Sequence, residues 1–436
     1  MHEFPKVLIV NGEPLSDVSA TGITVSNLFG DWPRDSISQI YTANLPTNPD
    51  KFKFSSRLTA RDLLPFAFLA RRTRGDTRVA VKAEAGVPNK APRKKNIRTK
   101  LQYGSAPLLD FLPYHLPAAV AKQIEEFQPD VIYSLLGNIR ITRLVHELGR
   151  RLRVPIVPHF MDDWLATYSV PDKSTGTRLH REVLNWTVRR LFERVPFGMA
   201  IGDLMAEEYS RKFGCDFLPF MNPVAEILDG KKFVRDSKKP LVFVYVGGLH
   251  LRRDQAILDL IDILSNINQS FFVAKLLIYA PESDREKAVQ LAEISPFVQY
   301  CGSVAASEIA ETLKGCDVAI HVESTEPNVA RYTRFSVSTK IPQYLAGGLP
   351  ILAYGPAASA SSLYISDSKV GISVNGGDKS VLLSTVKRLV ADDSWRKELG
   401  LAALNLAKER HLSEHVRSAF KTALSRAALV ERRGLN

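Results

Sequence analysis

Cysteine is scarce in this chain: its 436 residues include three, Cys215, Cys301 and Cys316, odd in number and far apart. That spacing gives no disulfide framework and no zinc-ligand set, and it points to a reducing compartment. The first residues, MHEFPKVLIVNGEP, enter a strand pattern almost at once and lack a basic segment followed by a long apolar core, so no signal peptide is expected. Long apolar runs are missing too. The longest outside the expected core strands, LLPFAFLA at 63–70, falls well short of the roughly 20 residues that span a bilayer. Neither half of the chain has G-x-G-x-x-G after its first strand, and G-x-x-x-x-G-K-[ST] does not occur. These absences disfavour dinucleotide-dependent redox enzymes and P-loop ATPases.

Positive charge is abundant but confined. The formal net charge is +12, and residues 51–100 hold fifteen Lys or Arg against Asp62, Asp76 and Glu84, which accounts for the whole excess. Because the cations follow an apolar run directly, an anionic membrane surface is the expected partner; a solvated loop is the alternative. Nucleic acid is not expected, since no aromatic residue interleaves the cations between Phe68 and Tyr103.

Strand-like and helix-like runs alternate along most of the chain, which predicts an α/β fold. The first half opens with KVLIVN at 6–11 and includes SISQIYT at 36–42, DVIYSLL at 130–136 and VPIVPHF at 154–160. The second restarts with LVFVYVGGL at 241–249. The spacing predicts an N-terminal domain over 1–222, a linker over 223–240, a second domain over 241–405 and a helical tail over 406–436, with a ligand between two Rossmann-like halves.

Several short stretches are candidate chemistry. In STKIPQYLAGGLPILAYGP, residues 338–356, Ile341, Tyr344 and Leu345 mark one apolar helix face, Gly347 and Gly348 end it, and an apolar strand follows. Ser338, Thr339 and Lys340 are therefore candidate phosphate binders at a helix start; a capping Ser338 with a solvated Lys340 is the alternative. Gly247 and Gly248 close a strand, and Arg252 and Arg253 precede a helix, where two cations suit a diphosphate leaving group. Gly12 and Gly22 flank the first strand-to-helix loop and allow close backbone approach to a ligand, here an acceptor; a plain turn explains them nearly as well.

The second half, from Val242 to about Leu389, resembles the donor domain of the large retaining family of nucleotide-sugar-dependent glycosyltransferases with the GT-B fold (glycosyltransferase family 4-like, glycosyl transferases group 1). In that family an Arg and a Lys after the first strand hold the donor diphosphate. The resemblance puts Gly248 at the Arg position and Arg253 at the Lys position, with Arg252 able to compensate. The family's Glu, seven residues, Glu signature meets Phe335 and Gln343 here. Gln343 is expected on the donor ribose, while Phe335 cannot contact the donor sugar as the first Glu does, and Glu326 or Glu323 is the replacement candidate. Ser338, Thr339 and Lys340 match the version of the motif with Ser-Lys or Thr-Lys before the helix.

VPIVPHFMDDW resembles the family's strand ending in His-Asp, with Met161 at the His position and Asp162 at the Asp. His159, on the same side of the strand as Met161, and the pair Asp162 and Asp163 are thus the catalytic candidates, a helix cap being the alternative for the aspartates. The Asp-Asp spacing does not suit a metal-holding Asp-x-Asp element, so no metal and no cofactor beyond the nucleotide diphosphate sugar is expected. The resemblance implies a cytoplasmic retaining transferase acting on a glycan or lipid-linked acceptor in cell-surface polysaccharide assembly. Base recognition falls to the backbone around Val298–Tyr300. A nucleotide-sugar epimerase and a non-catalytic sugar-binding homologue are the competing readings.

Overall fold

A computed structural model describes residues 3–16, 19–59, 62, 116–167, 175–228, 239–305 and 308–433. The apolar run 63–70, most of the basic segment (60, 61 and 63–100) and residues 229–238 of the expected linker lie outside the described residues.

The chain divides into two compact units, one of residues 1–220 and 417–436, the other of residues 221–416. Unit 1 holds a seven-stranded, all-parallel sheet. Its strands are β1 (Val7–Asn11), β2 (Ile37–Tyr41), β3 (Ser55–Arg57), β4 (Val131–Ser134), β5 (Ile156–Phe160), β6 (Gly198–Ala200) and β7 (Phe217–Pro219). They run in the order β3-β2-β1-β4-β5-β6-β7, with Val7 opposite Ile37 on one side and Val131 on the other. Every residue of β1, β2, β4 and β5 is buried, which is why β1, β4 and β5 read as mostly apolar runs without alternation; β2 also buries Ser38 and Gln39.

Helix boundaries in unit 1 follow local chemistry. The helix Ile139–Leu152 starts where the Asn138 side chain accepts from the Ile141 N–H at 2.9 Å. It buries Ile141, Leu144, Val145 and Leu148 at helical spacing and ends on Arg153 in the left-handed region (φ 55°). Gly22 lies inside the helix Ala20–Leu28, and its N–H donates to the capping Ser19 Oγ at 3.0 Å.

The C-terminal residues complete unit 1. Phe420, on the helix Ser413–Arg433, is fully buried and meets Phe29, Trp32, Tyr133 and Phe220 edge-on, with centroid separations of 5.0, 5.8, 5.9 and 5.3 Å. Arg417 donates to the Asn27 carbonyl at 2.7 Å and pairs with Asp31 at 2.8 Å, and a Cβ at Gly30 would overlap its guanidinium.

Unit 2 repeats the plan with six parallel strands: β8 (Leu241–Val246), β9 (Ala274–Tyr279), β10 (Val298–Tyr300), β11 (Val318–Val322), β12 (Ile351–Gly355) and β13 (Gly371–Asn375). The order β10-β9-β8-β11-β12-β13 reverses direction between β8 and β11, and such a switch point opens a crevice at the carboxyl ends of the two strands. The start of the expected linker is part of this unit: Pro223 and Val224 are buried, and Val224 forms an isolated parallel bridge with Leu412. Among the described residues no helix is long and apolar enough to cross a membrane.

Truncating Phe420 to Ala removes the ring shared by four aromatic neighbours. We expect a loss of about 3–5 kcal/mol, read as a lower urea midpoint for unit 1 with an unchanged m-value.

Candidate functional site

The crevice of unit 2 is built first by the loop after β8. The Gly247 N–H donates to the Tyr279 carbonyl at 2.9 Å, the Tyr245 hydroxyl to the Gly248 carbonyl at 2.6 Å, and the Leu249 N–H to Asp284 Oδ2 at 2.7 Å. A Cβ at Gly248 would fall on the His250 ring and close to Asp284, so the arginine that the family resemblance places here has no room for its first carbon in this loop. His250 is held neutral, its pKa lowered to about 4 by burial and by Arg253 against the opposing charge of Asp284. Leu251 and Arg252 then take left-handed φ values of 57° and 58°, a costly conformation for two non-glycine residues, and the helix Arg253–Ile267 begins.

This turn separates the two arginines. Arg252 is exposed, whereas Arg253 is half-buried and lies beside Tyr245, whose hydroxyl pKa burial pushes up to about 12 against the pull of Arg253. Arg253 also acts on Glu323, at the end of β11.

Glu323 and His321 are both buried, at 5% and 6% exposure, and His321 Nε2 lies 3.1 Å from Glu323 Oε1. Burial raises the Glu323 pKa, but the hydrogen bond and charge of His321, with Arg253, outweigh it and the net shift is downward. Glu323 Oε2 is enclosed and meets no donor at hydrogen-bond geometry among the described residues, although the Ser361 hydroxyl also acts on the carboxylate. Glu326, the other candidate carboxylate, is occupied locally. It caps the helix Pro327–Thr333 by accepting from the Val329 N–H at 3.0 Å and from Asn328 Nδ2 at 3.2 Å. Of the two candidate carboxylates, Glu326 is thus engaged as a helix cap, and Glu323 is the enclosed one beside His321. Phe335 is 5% exposed, with the Arg334 guanidinium 4.6 Å from its ring centroid.

Ser338, Thr339 and Lys340 precede the helix Ile341–Ala346 and are not its first turn, because Pro342 sits at the helix start. The Ser338 N–H donates to Ser361 Oγ at 3.3 Å, its hydroxyl accepts from the Lys340 N–H at 3.4 Å, and the Thr339 carbonyl accepts from Asn222 Nδ2 at 3.2 Å. Lys340 is half-buried, and burial lowers its pKa. Among the described residues no carboxylate lies within ion-pair distance of it. One turn on, Gln343 Oε1 is enclosed without a hydrogen-bond partner. Leaving a buried polar group unmet costs about 1–3 kcal/mol, and more for a charge, so a cation and an acceptor left open together describe a binding surface for something anionic that also carries hydroxyls.

In unit 1 the sequence candidates part company. His159 is fully buried; its Nδ1 shares a hydrogen bond with the Tyr133 hydroxyl, 2.7 Å away, and burial lowers its pKa to about 3. A neutral, enclosed imidazole cannot touch an acceptor, so His159 is corrected to a core residue. Asp163, 5% exposed, accepts from the Tyr209 hydroxyl at 2.7 Å, and its carbonyl accepts from the Ala166 N–H at 3.2 Å where the helix Trp164–Thr167 starts. Asp162 is half-buried at the carboxyl end of β5 and is the aspartate with access to solvent; Trp164 stacks on the core ring of Phe160 at 6.1 Å. The Gly12 carbonyl accepts from the Thr42 and Ala43 N–H groups at 3.1 and 2.8 Å. A Cβ at Gly22 would meet the Ser16 carbonyl, so protein and not ligand explains that glycine. Sequence reasoning missed Tyr245, Asp284, His321, Tyr344 and Ser361, which shape the unit 2 crevice without matching any motif.

No family model and no curated protein sequence matches the chain. Solved structures do. HepE of Anabaena, in complex with UDP, superposes with a TM-score of 0.62 at 14% identity, covering 96% of this chain and 99% of that one. Sucrose-phosphate synthase from Thermosynechococcus elongatus gives 0.60 at 15% identity, covering 97% and 98%. WaaG, a glycosyltransferase involved in lipopolysaccharide biosynthesis, gives 0.53 at 13% identity, covering 95% and 99%. The chain has the GT-B fold, with two Rossmann-like units and helical C-terminal residues.

The depressed His159 pKa has a consequence for stability. The unfolded imidazole takes a proton near pH 6.5 and the folded one only near pH 3, so stability is intact above about pH 6.5 and is lost as pH falls between these values. We expect unit 1 to lose about 1.4 kcal/mol per pH unit between pH 6 and pH 4 from this group. His159→Asn, compared with the parent by urea titration at several pH values, should flatten that slope.

Proposed function

We propose that the protein is a glycosyltransferase that moves a sugar from a nucleotide diphosphate sugar to a glycan or lipid-linked acceptor, with retention of configuration and without a metal ion, in cell-surface polysaccharide biosynthesis. The observation that carries this reading is the half-buried Lys340, without an ion-pair partner among the described residues, one helical turn before the open Gln343 Oε1, in the same unit as Arg253. A nucleotide diphosphate sugar offers both things these groups lack. Its phosphates suit Lys340, Arg253 and the Ser338 and Thr339 hydroxyls, and its ribose hydroxyls can donate to Gln343. Glu323, which feels the charge of Arg253, accepts from a further hydroxyl of the donor in this reading. HepE is known in complex with UDP and with UDP-glucose, which makes UDP the first nucleotide to test.

In this reading the bond between the anomeric carbon and the diphosphate oxygen breaks as the acceptor oxygen attacks from the same face. The acceptor proton passes to the departing phosphate oxygen. Lys340 and Arg253 neutralise the charge that develops there, the task a divalent ion performs in other sites. Asp162 orients the acceptor hydroxyl. The proposed chemistry calls for no metal ion. The segment 51–100 supplies attraction to an anionic membrane surface, where lipid-linked acceptors reside.

A thermal-shift screen with UDP, GDP, ADP and their sugars tests the reading, and at least one nucleotide should raise the melting temperature in the presence of EDTA. Lys340→Ala should weaken that nucleotide about tenfold to a hundredfold, the value of one charge-assisted hydrogen bond, and lower transfer with it. Gln343→Leu should weaken a nucleoside diphosphate but leave inorganic pyrophosphate unaffected. If no nucleotide shifts the transition, the proposal fails.

A further inference from the structure

The sequence places its charge excess in 51–100, yet unit 1 carries a second basic surface on helices that the structure describes. The helix Ile139–Leu152 packs against the helix Thr175–Phe192. Together with Arg153, Glu193 and Arg194, the two helices contain ten arginines, no lysine and three glutamates. Arg150, Arg153, Arg189, Arg190 and Arg194 are exposed. Arg190, Arg194 and Arg150 act together on the half-buried His146, which places cations from both helices around one point of the surface. Glu147 pairs with Arg150 at 2.8 Å and offsets only part of this charge.

On the same helix, one turn before Arg189 and Arg190, stands Trp186. It is 59% exposed, the most exposed large apolar side chain described in unit 1, and the Arg190 guanidinium lies 5.1 Å from its ring centroid. An indole held out in water with a guanidinium on its face gains little from the folded core. Both groups suit the boundary between water and lipid, where the indole enters the headgroup layer and the guanidinium meets phosphate in bidentate fashion.

We propose that the face of unit 1 formed by Trp186, Arg189, Arg190 and Arg194, with Arg150 and Arg153 alongside, docks on an anionic phospholipid bilayer. Charge complementarity selects this partner: the exposed cations are all arginine, the residue that best matches phosphate, and one of them lies over an interfacial anchor side chain. The proposal is independent of the donor site and does not require the chain to be a transferase.

The test is vesicle co-sedimentation of the full chain at low and high salt, with phosphatidylcholine vesicles alone and with about 30% phosphatidylglycerol. Binding should require the anionic lipid and fall with salt. The triple change Arg189→Glu, Arg190→Glu and Arg194→Glu should lower the partition coefficient about hundredfold, at about fivefold for each cation removed. Trp186→Ala should abolish a blue shift of tryptophan emission that anionic vesicles induce in the parent. Melting curves and a milder triple change to Gln check that a loss of binding is not a loss of folding. Unchanged partitioning of both triple variants would overturn the proposal, since any binding would then come from elsewhere in the chain. So would loss of binding to a soluble polyanion such as heparin with vesicle binding retained.

Discussion

The unit 2 crevice depends on one phenol. The Tyr344 hydroxyl accepts from the Val246 N–H at 3.0 Å and donates to the Val246 carbonyl at 3.2 Å, so it takes the place of a neighbouring strand at the last residue of β8. Tyr344 belongs to a helix of six residues, Ile341–Ala346, too short to be stable by itself. Its position is set by this double bond and by the burial of Ile341 and Leu345. Lys340 lies just before that helix and Gln343 within it, while Gly247 and Gly248 follow directly from Val246. The same hydroxyl therefore holds both walls in register.

Much of the fold was legible because parallel strands covered on both faces leave an uninterrupted apolar signal, as in LVFVYV and VAIHV. The helix Asp203–Phe213 was likewise plain from its spacing and its closing Gly214. The site was harder to read. Glu323 and Glu326 are three residues apart in one loop, and both are carboxylates, so residue type could not choose between them. Two local signals separate them. Glu323 follows His321 at the strand period of two and shares its side, whereas Glu-Pro at 326–327 is a helix start with Pro in the first turn.

His159 shows the opposite limit. The alternation that put it on the side of Met161 says nothing about depth, and depth comes from Tyr133 on the adjacent strand β4, together with the carbonyls of Ala200 and Phe220 near the ring. Asp163 differs from Asp162 for a similar reason, since its partner Tyr209 is 46 residues away. The pairing of Arg252 and Arg253 hid a further division of labour, because two consecutive left-handed residues turn one outward and leave the other beside Glu323. Partners distant in sequence, not residue types, decided each case.

Unit 1 is discontinuous in the chain, and this bears on its birth during translation. Residues 1–220 contain all seven strands, yet the ring that Phe29, Trp32, Tyr133 and Phe220 surround belongs to Phe420. A ribosome delivers that ring last. Until then the nascent first unit waits with an open aromatic socket, so the packing of the first-made sheet is completed only after the second unit has been made.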